Sequence, residues 1–228
     1  MGSLIDAGKL RGWGSCNDNA YGLAGMCYAA RAVGAPPPCV MQGDYSLINR
    51  RSEENGLAEA CSPVHENVGW MAYNVLAGGF LTGKYLRQAA AVDEQDAAKA
   101  EELLRNPRGR MDDFSWGSTL YRYRSSAALA AAAAYSRIAA DAGISETELA
   151  CRWARQRNFC TTSLLGHTSL EQLEQTLDYF TRDSDLDPQV MAAIDVVHMR
   201  NRLPIFSSDR VTLEMALEHA GEIGERIP

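Results

Sequence analysis

Short apolar runs alternate along this chain with stretches of helical period, the pattern that βαβ units and a parallel sheet produce. The apolar runs predict strands near 10–15, 39–42, 69–73 and 161–165. The helical periodicity predicts helices over 21–33, 52–64, 93–105, 126–142, 146–156, 170–181 and 188–200. Gly34 and Pro36-Pro37-Pro38 make a rigid turn from the first of these helices into the second strand, because proline fixes φ. The alanine-rich stretch 127–134 is a strong helix former and calls for no functional reading. At the amino end, Met1, Leu4, Ile5 and Leu10 roughly follow helical spacing, and Gly8 stands where it ends a helix before Lys9-Leu10-Arg11. That segment reads as the end of a longer helix without its beginning, and residues 1–5 lack the make-up of a signal peptide. Residues 86–124 make a long excursion between a strand and its helix, the kind of connection that carries substrate contacts in barrels.

A chain of 228 residues can bury a sizeable core. A complete eight-stranded barrel takes about 250 residues, so the four predicted strands fit an incomplete one better. The net charge of −7 argues against nucleic-acid binding, which needs a basic face. No run reaches the ~18 apolar residues of a membrane span. The six cysteines form neither CxxC pairs nor a dense framework, which predicts a reduced, intracellular setting, cytoplasmic by default. Cys61 and His65 are better read as core or solvated positions than as metal ligands.

The richest chemistry lies in Gly69-Trp70-Met71-Ala72-Tyr73-Asn74-Val75-Leu76-Ala77-Gly78-Gly79-Phe80-Leu81-Thr82-Gly83-Lys84-Tyr85. An apolar run ends in an aromatic, and a glycine-rich loop then closes on a lysine. Tyrosine on a strand is ordinarily core, but glycines let a backbone approach a pyrophosphate and lysine supplies a point charge, which changes the reading of Tyr73. Upstream, Gly14-Ser15-Cys16-Asn17 sets polar groups at the carboxyl end of a strand, the end at which barrels hold their ligands. Asn17 there is a ligand contact or a turn residue. Gln42, ending the next strand, needs partners for its NH₂ and its carbonyl; an amide ligand supplies both, and neighbouring backbone is the alternative. After the last strand, Leu165-Gly166-His167-Thr168-Ser169-Leu170-Glu171-Gln172 opens a helix, a usual phosphate-binding position. His167 has two uses open to it, phosphate contact or helix capping.

These segments resemble aldo-keto reductases. Residues 69–85 are similar to that family's seventh-strand wording, VGxxAYSPLAGGxLTGKY, and Met41-Gln42-Gly43-Asp44-Tyr45-Ser46-Leu47-Ile48-Asn49-Arg50 to IQNPYSLLNR. Residues 165–176 resemble IGATSLEQLKEN, and 14–17 the pattern G-x-S-N. The resemblance runs from about Leu4 to Arg202. It implies a (β/α)₈ TIM-type barrel, incomplete here, with 1–202 as a C-terminal half of four βα units and 203–228 as a tail, whose stretch 212–217 suits an amphipathic helix. It also implies an NADPH-dependent oxidoreductase that takes carbonyls to alcohols, with NADP(H) and a small carbonyl compound as ligands.

By this resemblance Cys16, Asn17 and Gln42 hold the nicotinamide carboxamide and Tyr73 stacks on the nicotinamide ring. Asn74, Leu76, Gly78 and Lys84 follow in the cofactor loop. Gly166, His167, Thr168, Ser169 and Gln172 grip the 2′-phosphate, while Tyr45, Asn49 and Arg50 fix a loop and a helix start. The chain departs from the family at Cys16, which replaces Ser and is a weaker donor. It departs also at Asn74-Val75 for Ser-Pro and at Gln175-Thr176 for Glu-Asn. The family's catalytic Asp, Tyr, Lys and His lie on its first four strands, and none can be assigned here; His65, His167, His198 and His219 stand in other contexts. A helix ending LxxxGKxRxxG leads into the family's fifth strand, so Met1 is an internal methionine or a true start after truncation. Three readings stand: a reductase whose amino-terminal half lies outside this sequence, a cofactor-binding pseudoenzyme or interaction subunit, or a nonfunctional product of truncation. Four strands with two open edges further predict self-association.

Overall fold

A computed structural model of the protein describes residues 1–90, 123 and 125–206. The helix expected at 93–105 and the stretch 212–217 lie outside them. Four parallel strands stand side by side in chain order: β1 (Gly14–Cys16), β2 (Val40–Asp44), β3 (Gly69–Tyr73) and β4 (Cys160–Ser163). Val40 pairs with Gly69 and Asp44 with Tyr73, so the carboxyl ends of β2 and β3 are level. With helices following the strands, the architecture is an incomplete (β/α)₈ barrel, with four βα units among the described residues.

β1 begins at Gly14, four residues later than expected. The parallel ladder reaches back to Cys39 N, which donates to Trp13 O at 2.8 Å. Beyond that point the partner chain is Pro36-Pro37-Pro38, which has no N–H to continue it. β4 starts one residue early and ends at Ser163 instead of 165. Its register slips between Trp70 and Met71, which pair with Cys160 and Thr162. The hydroxyl of the bulged Thr161 accepts the Trp70 N–H at 3.1 Å, so that donor stays paired across the slip.

The longer helices start where a side chain caps them. Asn19 accepts from Gly22 N ahead of α2 (Ala20–Ala32), which turns Leu23, Cys27 and Ala30 inward. The helix expected over 52–64 is two short ones, α3 (Arg51–Glu54) and α4 (Leu57–Cys61). Asn55 Oδ1 accepts from Leu57 N at 3.1 Å, and Gly56 adopts φ 79°, a left-handed turn that breaks the helical run. At the amino end, α1 (Gly2–Asp6) closes at Gly8, φ 68°, where Lys9 N donates to Leu4 O and Gly8 N to Ile5 O, both at 2.9 Å. After β3 come α5 (Lys84–Ala90), α6 (Ser126–Asp141) and α7 (Glu146–Arg155). After β4 come α8 (Leu170–Thr181) and α9 (Pro188–Arg200). Ser125, Ser145, Ser169 and Asp187 cap the last four.

Strand residues alternate in burial because side chains alternate across a sheet. Met41, Gly43, Trp70 and Ala72 point into the core, where Trp70, Phe159, Tyr45 and Trp153 form a chain of ring contacts 5.0–5.8 Å apart. The Tyr45 hydroxyl donates to Glu53, which also takes Arg50 and Arg157; Arg50 reaches on to Asp195 of α9 at 2.6 Å. Burial, with the Glu53 charge behind it, pushes the Tyr45 hydroxyl up and keeps it a neutral donor. Tyr45, Asn49 and Arg50 thus fasten the loop after β2 to the helices. The opposite face carries Gln42, Asp44, Met71 and Tyr73, all half-buried.

Gly43 leaves room for the buried indole of Trp70: a Cβ there would lie 2.3 Å from Cη2 and 2.8 Å from Cζ2. Because Phe159 packs against that indole, Gly43→Ala is expected to lower unfolding free energy by about 1–3 kcal/mol. Urea denaturation checks it, and an unchanged midpoint would mean the ring has space to move.

Candidate cofactor site

The half-buried face of the sheet carries a row of polar and sulfur-bearing side chains at its carboxyl end. Cys16, Gln42, Met71 and Thr162 are register partners across β1 to β4. Cys16 Sγ donates to Gln42 Oε1 at 3.4 Å, and Gln42 Nε2 reaches Met71 Sδ at 3.5 Å. Partial desolvation raises the Cys16 thiol pKa, so it stays a neutral, weak donor. Among the described residues, both polar ends of the Gln42 amide therefore meet sulfur, a poor partner on either side.

One step further along the strands, Asn17 turns the chain at φ 60°, with its N–H on Gln42 O at 2.9 Å. Its side-chain oxygen accepts the Tyr73 hydroxyl at 2.8 Å. Cys16, Asn17, Gln42 and Tyr73 are thus brought together at three adjacent strand ends. An open cleft of about 430 Å³ borders Asn17, Asp44 and Tyr73, with Arg51, Ser52 and Phe206 on its other side.

The chain then makes a loop unusually rich in left-handed backbone: Asn74 (φ 59°), Ala77 (48°), Gly78 (65°), Gly79 (90°) and Gly83 (72°). Asparagine adopts this conformation at little cost, whereas Ala77 is strained in it and must be held by its neighbours. Leu76 packs against the core and Ala77 is buried, which anchors the loop. Lys84 folds back so that its Nζ stands 3.1 Å from where a Gly79 Cβ would be and 4.7 Å from the centre of the Tyr85 ring. The Tyr85 hydroxyl, buried beside Gly79, has no hydrogen-bond partner among the described residues.

After β4 the loop to α8 is largely exposed, and a side chain at Gly166 would meet open space. Ser169 caps α8 by accepting from Gln172 N, and Gln172 Oε1 returns to Thr168 N at 3.0 Å and Thr168 Oγ1 at 3.2 Å. His167 Nε2 lies 2.6 Å from Thr176 Oγ1, so its ring is tied to the second turn of the same helix. The loop after β3 and the loop before α8 follow the carboxyl ends of two adjacent strands, the end where parallel barrels hold ligands.

The aldo/keto reductase family model matches residues 1–198. The chain belongs to the aldo/keto reductase family. It is 30% identical over 204 residues to an aldo-keto reductase of Babesia bovis, covering 89% of this chain and 66% of that protein. It is 32% identical over 192 residues to protein tas of Escherichia coli, covering 84% of this chain and 49% of that protein. Human aflatoxin B1 aldehyde reductase member 2 is 32% identical over 204 residues, covering 84% and 52%. This aldo/keto reductase chain thus spans about half to two thirds of the length of these relatives. No helix among its described residues is long and apolar enough to cross a membrane.

Two further polar residues join the site without having been read from the sequence. Tyr123, in the excursion between β3 and α6, is fully buried and donates its hydroxyl to both carboxylate oxygens of Asp44, at 2.9 and 3.1 Å. Asn74 Nδ2 in turn donates to that hydroxyl at 3.3 Å. The only sequence signals were an aspartate where the resembling motif has proline and the length of the excursion itself.

Proposed function

We propose that this chain is the cofactor-holding side of an NADPH-dependent aldo-keto reductase that converts carbonyls to alcohols. The observation that supports it most is the strand-end group in which Tyr73 is held by Asn17 beside a Gln42 amide that, among the described residues, is partnered only by sulfur. An amide with two weak partners is suited to exchanging them for a ligand carboxamide, and a tethered tyrosine ring is suited to an aromatic one. The glycine-rich loop and the Tyr85 hydroxyl, unpartnered among the described residues, fit a polyanionic linker, with Lys84 as its counter-charge. NADPH, when bound, supplies a hydride to the carbonyl carbon.

The residues of this chain then bind and orient. Cys16, Asn17 and Gln42 offer one weak and two stronger groups to the carboxamide. Tyr73 offers offset stacking worth roughly 0.5–1.5 kcal/mol, which fixes orientation more than it adds affinity. Gly166, His167, Thr168, Ser169, Gln172 and the amino terminus of α8 are the groups offered to the 2′-phosphate. The family's catalytic Asp, Tyr, Lys and His have no counterparts assigned in this sequence, so the chain's proposed part is in holding the cofactor.

NADPH is therefore expected to bind at least about tenfold more tightly than NADH, with Ser169→Asp abolishing the preference by setting a carboxylate against the phosphate. Fluorescence titration of both nucleotides tests this. The same chain is expected to show no turnover of aldehydes or quinones near the usual ~1–10³ s⁻¹. Equal affinities untouched by Ser169→Asp would rule out the 2′-phosphate site.

We further propose that the chain on its own self-associates. Among the described residues β1 and β4 pair on one side only, and such edges offer bare N–H and C=O groups to another strand. Leu170, Leu173 and Leu177 of α8, the helix that follows β4, are exposed and add apolar surface. Size-exclusion chromatography with light scattering is expected to give a dimer or larger species; a monodisperse monomer with a sharp thermal transition contradicts this.

A further inference from the structure

We infer that Asp44 and Tyr123 are positioning residues that hold the Tyr73 ring platform, acting through Asn74; the inference rests on the reading that Tyr73 receives the nicotinamide ring. Asp44 is the register partner of Tyr73, on the same face of the sheet. Tyr123 spans from that carboxylate to the Asn74 amide, using its one proton on Asp44 and a lone pair on Asn74. Its ring cannot swing away, because it lies fully buried in near-parallel contact with Phe80, 6.5 Å between centroids at 22°.

What the relay holds is the exit of the chain from β3. Asn74 follows Tyr73 directly and sits at φ 59°, a conformation that costs an asparagine little but does not maintain itself. A relaxed Asn74 would carry the Tyr73 carbonyl with it, and that carbonyl accepts from Tyr45 N at 3.0 Å. Asn17 holds the tyrosine at its hydroxyl and the relay holds it at its backbone, so the ring is fixed at both ends. In the resembling motifs, prolines stand at the positions of residues 44 and 75. This chain has Asp44 and Val75 there, so side-chain hydrogen bonds supply the rigidity that two fixed φ angles would otherwise give.

The test compares two ligands on the full 228-residue chain: NADP⁺, and adenosine 2′,5′-bisphosphate, which carries the adenosine and 2′-phosphate without the nicotinamide. Tyr123→Phe keeps the ring on Phe80 and removes the relay. It is expected to weaken NADP⁺ about tenfold and to leave the bisphosphate within twofold. Asp44→Ala should reproduce that split, so the test survives if either variant fails to fold, while Asp44→Asn, which keeps an acceptor, should restore most of the NADP⁺ affinity. Equal weakening of both ligands would reduce the relay to general stability and overturn the inference, as would no change in either. Wild-type chain that binds the bisphosphate but gains nothing from the nicotinamide would overturn the Tyr73 platform itself, and the relay with it.

Discussion

The parallel register between β2 and β3 is the constraint on which the rest depends. Side chains alternate across a sheet with a period of two, so a slip of one residue would exchange its faces. With Val40 opposite Gly69, the residues Met41, Gly43, Trp70 and Ala72 go to the core, while Gln42, Asp44, Met71 and Tyr73 go to the other face. Gly43 makes this register sterically possible, because the Trp70 indole occupies the space of its missing side chain. The same pairing that fills the core sets an amide, a carboxylate and a phenol at one end of the sheet.

From that end the site is assembled by groups that turn the chain sharply and are held in place. Asn17 and Asn74 both adopt left-handed backbone, and both are hydrogen-bonded to a tyrosine hydroxyl. The strand ends are thereby stiffened without proline. Gln42 is left with sulfur on either side. Rigid supports around a weakly satisfied amide make an arrangement ready to accept a ligand, since little ordering remains to be done on binding.

Much of the fold was legible in the sequence because its signals are local. The strand at 69–73 and the helices at 170–181 and 188–200 stand where period and caps put them. The start of β1 was not legible, since it depends on a proline run more than twenty residues downstream that ends the ladder. Nor was the break at Gly56, where one glycine following an Asx turn overrides an otherwise helical pattern. At the site, motif positions could be named from the resemblance, but Asp44 and Tyr123 could not, because their partnership joins residues far apart in the chain. His167 was open to two uses. Its ring meets Thr176, one of the two positions where residues 175–176 depart from the resembling motif, a contact that joins the loop before α8 to the helix's second turn.

The central claim is that the Tyr73 end and the α8 end of the site hold one dinucleotide between them. Intermolecular nuclear Overhauser contacts from NADP⁺ to chain labelled at tyrosine and serine test it most directly. Contacts are expected from nicotinamide ring protons to Tyr73 and from adenosine ribose protons to Ser169 in the same complex. Bound NADP⁺ whose nicotinamide protons show no contact with Tyr73 would contradict it.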